Sequence, residues 1–375
     1  MTAAPTGTGP RHTPTLGSLT GGQLRRLGGV AGLSRADVEI YAQVLTESLG
    51  PAAERPLSLP PPTRTFLSDD HTPVEFSLSF RPDAAPSVRV LVEPGCGADS
   101  LAHNGRVGLE AIRAMARRWH FATDVLDELR DLFLPPAPQG PLALWCALEL
   151  RPGGVPKVKV YLNPAAGGEE RSAATVREAL RRLGHRQAYD GLPRGAGHPF
   201  LALDLGDWAE PRVKVYVRHE NLSAGQAGRL SRMDSGPGPA AVEGFFRTAA
   251  GLGPDATGLG GRPGLSCHSF TDTTTARPSG FTLHIPVRDY VRHDGEALAR
   301  ASRVLRHHGM DASVLDRALA ALTERRPEDG VGLIAYLALA HQRDQAPRIT
   351  AYLSSEAYAV RPPAVETAGR PVPVS

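Results

Sequence analysis

The chain has 375 residues, 41% of them hydrophobic and 22% charged, the proportions of a globular protein. A net charge of +3 is too small to point to nucleic acid or an anionic membrane as partner. No apolar run approaches the roughly 20 residues of a membrane-spanning helix, and the three scattered cysteines, Cys96, Cys146 and Cys267, lack metal-ligand spacing. The expected location is the cytoplasm, with thiols reduced.

In chain order, residues 1–15 are rich in Thr, Gly and Pro, have no apolar signal-peptide core, and are expected to form a disordered tail. Helical periodicity covers 22–30 and 35–49, with Ser34 as N-cap of the second helix. Strand-like runs follow at 74–80 and 87–93, joined by Arg81-Pro82-Asp83. The same sequence of elements recurs: helices over 104–119 and 123–133, then strands over 142–150 and 157–162. A shorter copy has one helix over 169–183 and strands over 200–205 and 212–217, joined by a turn at 207–211. Helices over 221–233 and 240–249 precede strands over 265–271 and 281–286. The last copy has helices over 295–309 and 311–325, the run 331–340, which reads equally as strand or helix, and a strand over 348–354. A Pro-rich tail is expected at 359–375, leaving one domain over 16–358.

The unit is therefore helix, helix, strand, strand, used five times. The second strands align at Arg89, Lys159, Lys214, Thr282 and Thr350; two places on stand Leu91, Tyr161, Tyr216, His284 and Tyr352. All three lysines of the chain, Lys157, Lys159 and Lys214, sit in two of these strands, among 42 cationic residues in total. Side chains alternate across a strand. Lys157, Lys159 and Tyr161 thus share one face and Val158, Val160 and Leu162 the other, and Arg212, Lys214 and Tyr216 repeat the pattern opposite Val213, Val215 and Val217. Ten antiparallel strands from five hairpins close into a barrel without free edges. The predicted fold class is α+β: a ten-stranded antiparallel barrel ringed by helices that cover its aliphatic face, with a polar, aromatic lumen.

Arg89, Lys159, Arg212, Lys214 and Arg348 would converge in that lumen. Buried cations of this density require an anion, and a diphosphate has the size and charge. The sequence contains neither a Walker-type glycine loop nor an Asp-Asp-x-x-Asp cluster, so the anion is expected to be held by side-chain cations, with no metal and no cofactor. Tyr161, Tyr216 and Tyr352, one pleat away, could shield a carbocation through their ring faces. The alternative is that they are rings filling the barrel, with the hydroxyl at the rim. Glu75 interrupts an apolar strand beside Arg89; it is either a salt-bridged structural carboxylate or a hydrogen-bond acceptor for a substrate N–H.

The run Asp69-Asp70-His71-Thr72-Pro73-Val74-Glu75-Phe76-Ser77, the two Lys-Val-Tyr strands and Ile285-Pro286-Val287-Arg288-Asp289-Tyr290 together resemble the dimethylallyltryptophan synthase family of aromatic prenyltransferases, its bacterial members in particular. The resemblance runs from about Gly17 to Ser355. It implies the five-repeat ABBA fold, or PT barrel, and metal-independent transfer of a dimethylallyl group from dimethylallyl diphosphate to an indole, usually of L-tryptophan, with C6 favoured. By this resemblance Glu75 accepts the indole N–H, and Arg89, Lys159, Arg212 and Lys214 hold diphosphate; Arg348 joins them from its place in the last strand. Tyr161, Tyr216 and Tyr352 form the shield, and the backbone near Leu67 falls where the family holds the amino-acid part of tryptophan; Trp145 is a further candidate for substrate binding. His284 stands where fungal members have a shield tyrosine and is taken as a second catalytic residue. Asn163 occupies a position where a tyrosine helps orient the substrate. The chain is expected to act as a monomer or homodimer on small molecules alone. Another indole or a phenol as acceptor, and a non-catalytic barrel binding an aromatic or anionic metabolite, remain as alternatives.

Overall fold

The computed structural model describes residues 13–206, 212–253 and 257–364. Most of the expected N-terminal tail, the turn at 207–211 and residues 365–375 lie outside that range.

Strands β1 (Val74–Phe80), β2 (Ser87–Val92), β3 (Leu144–Glu149), β4 (Lys157–Leu162), β5 (Leu201–Leu205), β6 (Val213–His219), β7 (Gly264–Phe270), β8 (Gly280–Ile285), β9 (Ile334–Gln342) and β10 (Arg348–Ser354) pair with their chain neighbours. The pairing of β1 with β10 closes the barrel, and every ladder is antiparallel. Around it lie helices α1 (Leu16–Val30), α2 (Arg35–Leu49), α3 (Leu101–Trp119), α4 (Asp124–Glu128), α5 (Arg130–Phe133) and α6 (Ser172–Arg182). The ring is completed by α7 (Ala224–Gly228), α8 (Pro239–Ala250), α9 (Asp294–His307) and α10 (Ser313–Leu322). This is the ABBA, or PT-barrel, architecture.

The strand faces separate as the alternation requires. Val158, Val160, Leu162, Val213 and Val215 join Leu24, Leu45, Ile112, Phe246 and Leu315 in one continuous core between barrel and helices. Each such residue contributes roughly 1.5–3 kcal/mol by leaving water. Leu67, Trp145, Tyr161, Ala202, Tyr216 and Cys267 form a second, smaller cluster on the lumen face. The helical layer is fixed at its ends by side-chain caps. Thr15 and Ser18 make a reciprocal capping box on α1, and Ser34 accepts from the Asp37 N–H on α2.

Three sequence expectations change. The helix expected over 123–133 is two short helices, α4 and α5, meeting at Leu129. The helix expected over 221–233 shrinks to the five residues of α7. Asn221 there has φ +48°, and Gly228 lies so close to Glu243 and Pro239 that a Cβ would clash. The ambiguous run 331–340 becomes β9. Gly332, at φ +114°, breaks it from what precedes, and the fully buried Asp294 accepts from the Gly332, Leu333 and Ile334 N–H groups at 3.0–3.2 Å. Those amides are thereby unavailable for a helical turn. At residues 358–364 the chain is tied back, Asp70 accepting from the Tyr358 N–H at 3.0 Å and Arg361 forming a β-bridge to Val331.

Candidate functional site

The registers of β1 to β6 bring the cations to one level of the lumen. Arg89 on β2 faces Glu149 on β3, Lys159 on β4 faces Asp204 on β5, and Asp204 accepts from the Arg212 guanidinium while its backbone N–H donates to the Arg212 carbonyl before β6. Lys159 and Lys214 are buried, while Arg89, Arg212 and Arg348 are partly so. Two carboxylates neutralise part of the cluster. Arg89 Nη2 lies 2.7 Å from Glu149 Oε2, Lys159 Nζ 3.3 Å from Asp204 Oδ1, and Arg212 Nη2 2.5 Å from Asp204 Oδ2. Burial would raise both carboxyls, yet the cations prevail: Arg89, Arg348 and Lys159 hold Glu149 at about 2, and Lys159, Lys214 and Arg212 hold Asp204 far below its ordinary value. Lys214 is pushed well below the usual lysine range by burial and then by Lys159 and Arg212. The buried Arg348 Nε has no hydrogen-bond partner. Five cations thus meet two carboxylates, a deficit of negative charge that an incoming anion can fill.

Asp204 and Glu149 were missed in the sequence, although each is a lone acid in an apolar strand. Asp204→Asn is expected to leave three buried cations without their internal counter-charge. That costs roughly 3–5 kcal/mol of stability, and added diphosphate should recover part of it. Melting temperatures with and without inorganic diphosphate check this, and a variant as stable as the parent overturns it.

Above the cations runs a belt of rings. Tyr161 and Tyr216 have centroids 5.9 Å apart, Tyr216 and His284 5.7 Å, and His284 and Tyr352 5.7 Å. Phe200, lying 5.6 Å from Tyr216 and 5.2 Å from Trp145, and Tyr336, 6.3 Å from Tyr352, extend it; sequence reasoning gave neither a role. Burial keeps Tyr216 and Tyr352 as neutral phenols, and lowers His284 to about 3, so its ring is neutral; His284 Nε2 is 3.2 Å from the Tyr352 hydroxyl. Lys159 Nζ lies 5.9 Å from the Tyr161 ring centre, joining belt and cations.

Glu75 lies at the opposite level, paired in register with Leu91 and Ser354. It makes no salt bridge with Arg89, contrary to the structural alternative: Arg89 faces Ser77 on that strand and spends its charge on Glu149. Burial pushes the Glu75 carboxyl up to about 8; Arg288 opposes the shift and Asp69 adds to it. Leu67 is buried in the lumen cluster, its N–H donating to Thr65 Oγ1 at 3.1 Å. Trp145 Nε1 donates to Glu93 at 3.3 Å, and Glu93 also accepts from Thr65 and from Asn104 Nδ2. Gly95 permits this arrangement, because a Cβ there would stand 2.4 Å from the Asn104 carbonyl oxygen. The Asn163 amide is held within its own loop: it donates to the Gln139 and Leu142 carbonyls and accepts from the Ala165 N–H. Lining the mouth at the Glu75 end is a cavity of about 690 Å³ bordered by Phe66, Asp69, Arg262 and Ser354. A larger cleft of about 820 Å³, bordered by Arg194, His219 and Arg277, contains none of the residues above. Among the described residues no group of three or more His, Cys, Asp or Glu could hold a metal ion, and no helix is long and apolar enough to cross a membrane.

The family model for tryptophan dimethylallyltransferase matches residues 33–317. The crystal structure of 5-dimethylallyltryptophan synthase from Streptomyces coelicolor is 83% identical, with a TM-score of 0.91 over 93% of this chain and all of that one. The prenyltransferase PriB, in ternary complex with L-tryptophan and dimethylallyl thiolodiphosphate, is 65% identical, with a TM-score of 0.93 over 95% of this chain and all of that one. The 6-dimethylallyltryptophan synthase from Micromonospora olivasterospora is 38% identical, with a TM-score of 0.86 over 93% of this chain and all of that one.

Proposed function

Because the chain belongs to the tryptophan dimethylallyltransferase family, the ABBA-fold indole prenyltransferases, we propose that it moves the dimethylallyl group of dimethylallyl diphosphate to the indole ring of L-tryptophan without a metal. The observation that carries this reading is the meeting, in one lumen, of an under-neutralised cation cluster, a belt of neutral rings and a buried carboxyl. Similarity also bears on the ring position. The strong likeness to a 5-dimethylallyltryptophan synthase favours C5 over the C6 of the sequence expectation, since the 6-synthase is far more distant.

Arg89, Lys159, Arg212, Lys214 and Arg348 bind the diphosphate and take up the charge that builds as the allylic C–O bond breaks and its electron pair stays on oxygen. Tyr161, Tyr216 and Tyr352 turn ring faces to the cation so formed and keep water from it. Neutral His284 continues the shield without adding a repelling charge, and it can take the proton that the ring carbon loses after the new C–C bond forms. Glu75, as carboxylate, accepts the indole N–H and raises the electron density of the ring. Leu67 and Trp145 border the acceptor.

Incubation with dimethylallyl diphosphate and L-tryptophan, followed by mass and NMR analysis, tests the reaction and its position. Product formation is expected to survive EDTA. Loss in EDTA that Mg²⁺ restores would overturn the metal-free reading, and absence of product under every condition would overturn the reaction itself.

A further inference from the structure

Among the described residues, Glu149 and Asp204 are the acids that pair with the diphosphate cations, and the bond-making steps use neither of them. Register places both on the lumen face, Glu149 opposite Arg89 and Lys157, Asp204 opposite Lys159. The Asp204 carboxylate is almost wholly buried and spans two cations, Lys159 at 3.3 Å and Arg212 at 2.5 Å. Glu149 is more open and holds Arg89 at 2.7 Å. Between them the two acids act on all five cations. Glu149 senses Arg89, Arg348 and Lys159, and Asp204 senses Lys159, Lys214 and Arg212. An anion gripped by these cations therefore lies one side chain away from both carboxylates.

A wall shaped only to hold an anion tightly would carry no fixed negative charge at that place, because like charges at such range repel. The reaction supplies a reason for it. When the allylic C–O bond breaks and its electron pair stays on oxygen, the diphosphate left behind carries one more negative charge than the ester that entered. Cations alone would therefore hold the product more firmly than the donor. A fixed carboxylate repels in proportion to the charge of the ligand, so it weakens the product more than the ester. As diphosphate departs, Arg89, Lys159 and Arg212 have partners to return to and are not left buried and bare.

We propose that Glu149 and Asp204 compete with the product diphosphate for the cations that hold it, and so set how fast it leaves and how weakly it inhibits. They are positioning residues that act through the cations. This rests on the reading that the donor is dimethylallyl diphosphate.

The test measures, by calorimetry without acceptor, the affinities of inorganic diphosphate and dimethylallyl thiolodiphosphate for the wild-type protein, Glu149→Gln and Asp204→Asn. Each amide should tighten both ligands, and inorganic diphosphate by about tenfold more. In turnover with L-tryptophan, the variants should show a burst in the first cycle and then a slower phase limited by release, which added viscogen slows further. An unchanged affinity ratio in both variants, or weaker binding of inorganic diphosphate, would mean that the acids only hold the cations in place, and would overturn the proposal. A wild type that binds neither ligand would instead overturn the donor reading. Should Asp204→Asn fail to fold, Glu149→Gln carries the test alone, since its carboxylate is more exposed and pairs directly with a single cation.

Discussion

Glu75→Gln is expected to lower turnover roughly 10²–10⁴-fold, the span of a positioned acid–base group, while the fold and diphosphate affinity persist. The carboxylate's hold on the indole N–H strengthens as positive charge grows on the ring, so its loss falls on kcat rather than KM alone. Burial places the Glu75 carboxyl at about 8 in the free protein, above its ordinary value. The acid form therefore predominates below that pH, and it accepts the N–H only through a neutral carbonyl oxygen, without the charge that enriches the ring. kcat/KM for the indole should rise with pH through about 8 and then level, and the amide variant should lack that rise. Single-turnover kinetics across pH, with circular dichroism as control, decide it. A folded variant with native turnover would reduce Glu75 to a buried structural acid.

Lys159→Ala and Lys214→Ala should each weaken diphosphate binding by roughly ten- to a hundredfold, and L-tryptophan binding much less. The two losses should not simply add. Lys159 is among the charges that depress Lys214, so its removal lets Lys214 hold its proton more firmly and cushions the single change. The double variant has no such cushion, and its loss should exceed the sum of the two in free energy. Calorimetry with dimethylallyl thiolodiphosphate measures all three. Native affinity in both single variants would remove these strands from the anion site.

The barrel was legible in the sequence because a period of two is strict: Lys157-Val158-Lys159-Val160-Tyr161 has only one way to bury its valines. The cations and tyrosines followed from the same rule. What stayed hidden came from contacts between distant segments. The Glu149 and Asp204 counter-charges lie on neighbouring strands, and the apolar residues flanking each acid were a signal passed over. Phe200 lies just before β5, and Tyr336 lies beside the register shift between β9 and β10, where alternation is interrupted. Arg288 lies beyond its strand in a turn, where no periodicity states which way a side chain points. The short α7 is set by crowding at Gly228 and by its Ser223–Gln226 capping box, which helical periodicity does not record.

The division of the barrel wall into a packed outer face and a reactive inner face also constrains how such a protein can diverge. A residue inserted into or deleted from a strand would rotate every later side chain of that strand by one place, sending lysine into the helical layer and valine into the lumen. Replacement in place on the inner parity of a strand would change the lumen and spare the outer core. A change of length in a hairpin turn, such as the one around Arg81-Pro82-Asp83, would leave that parity intact.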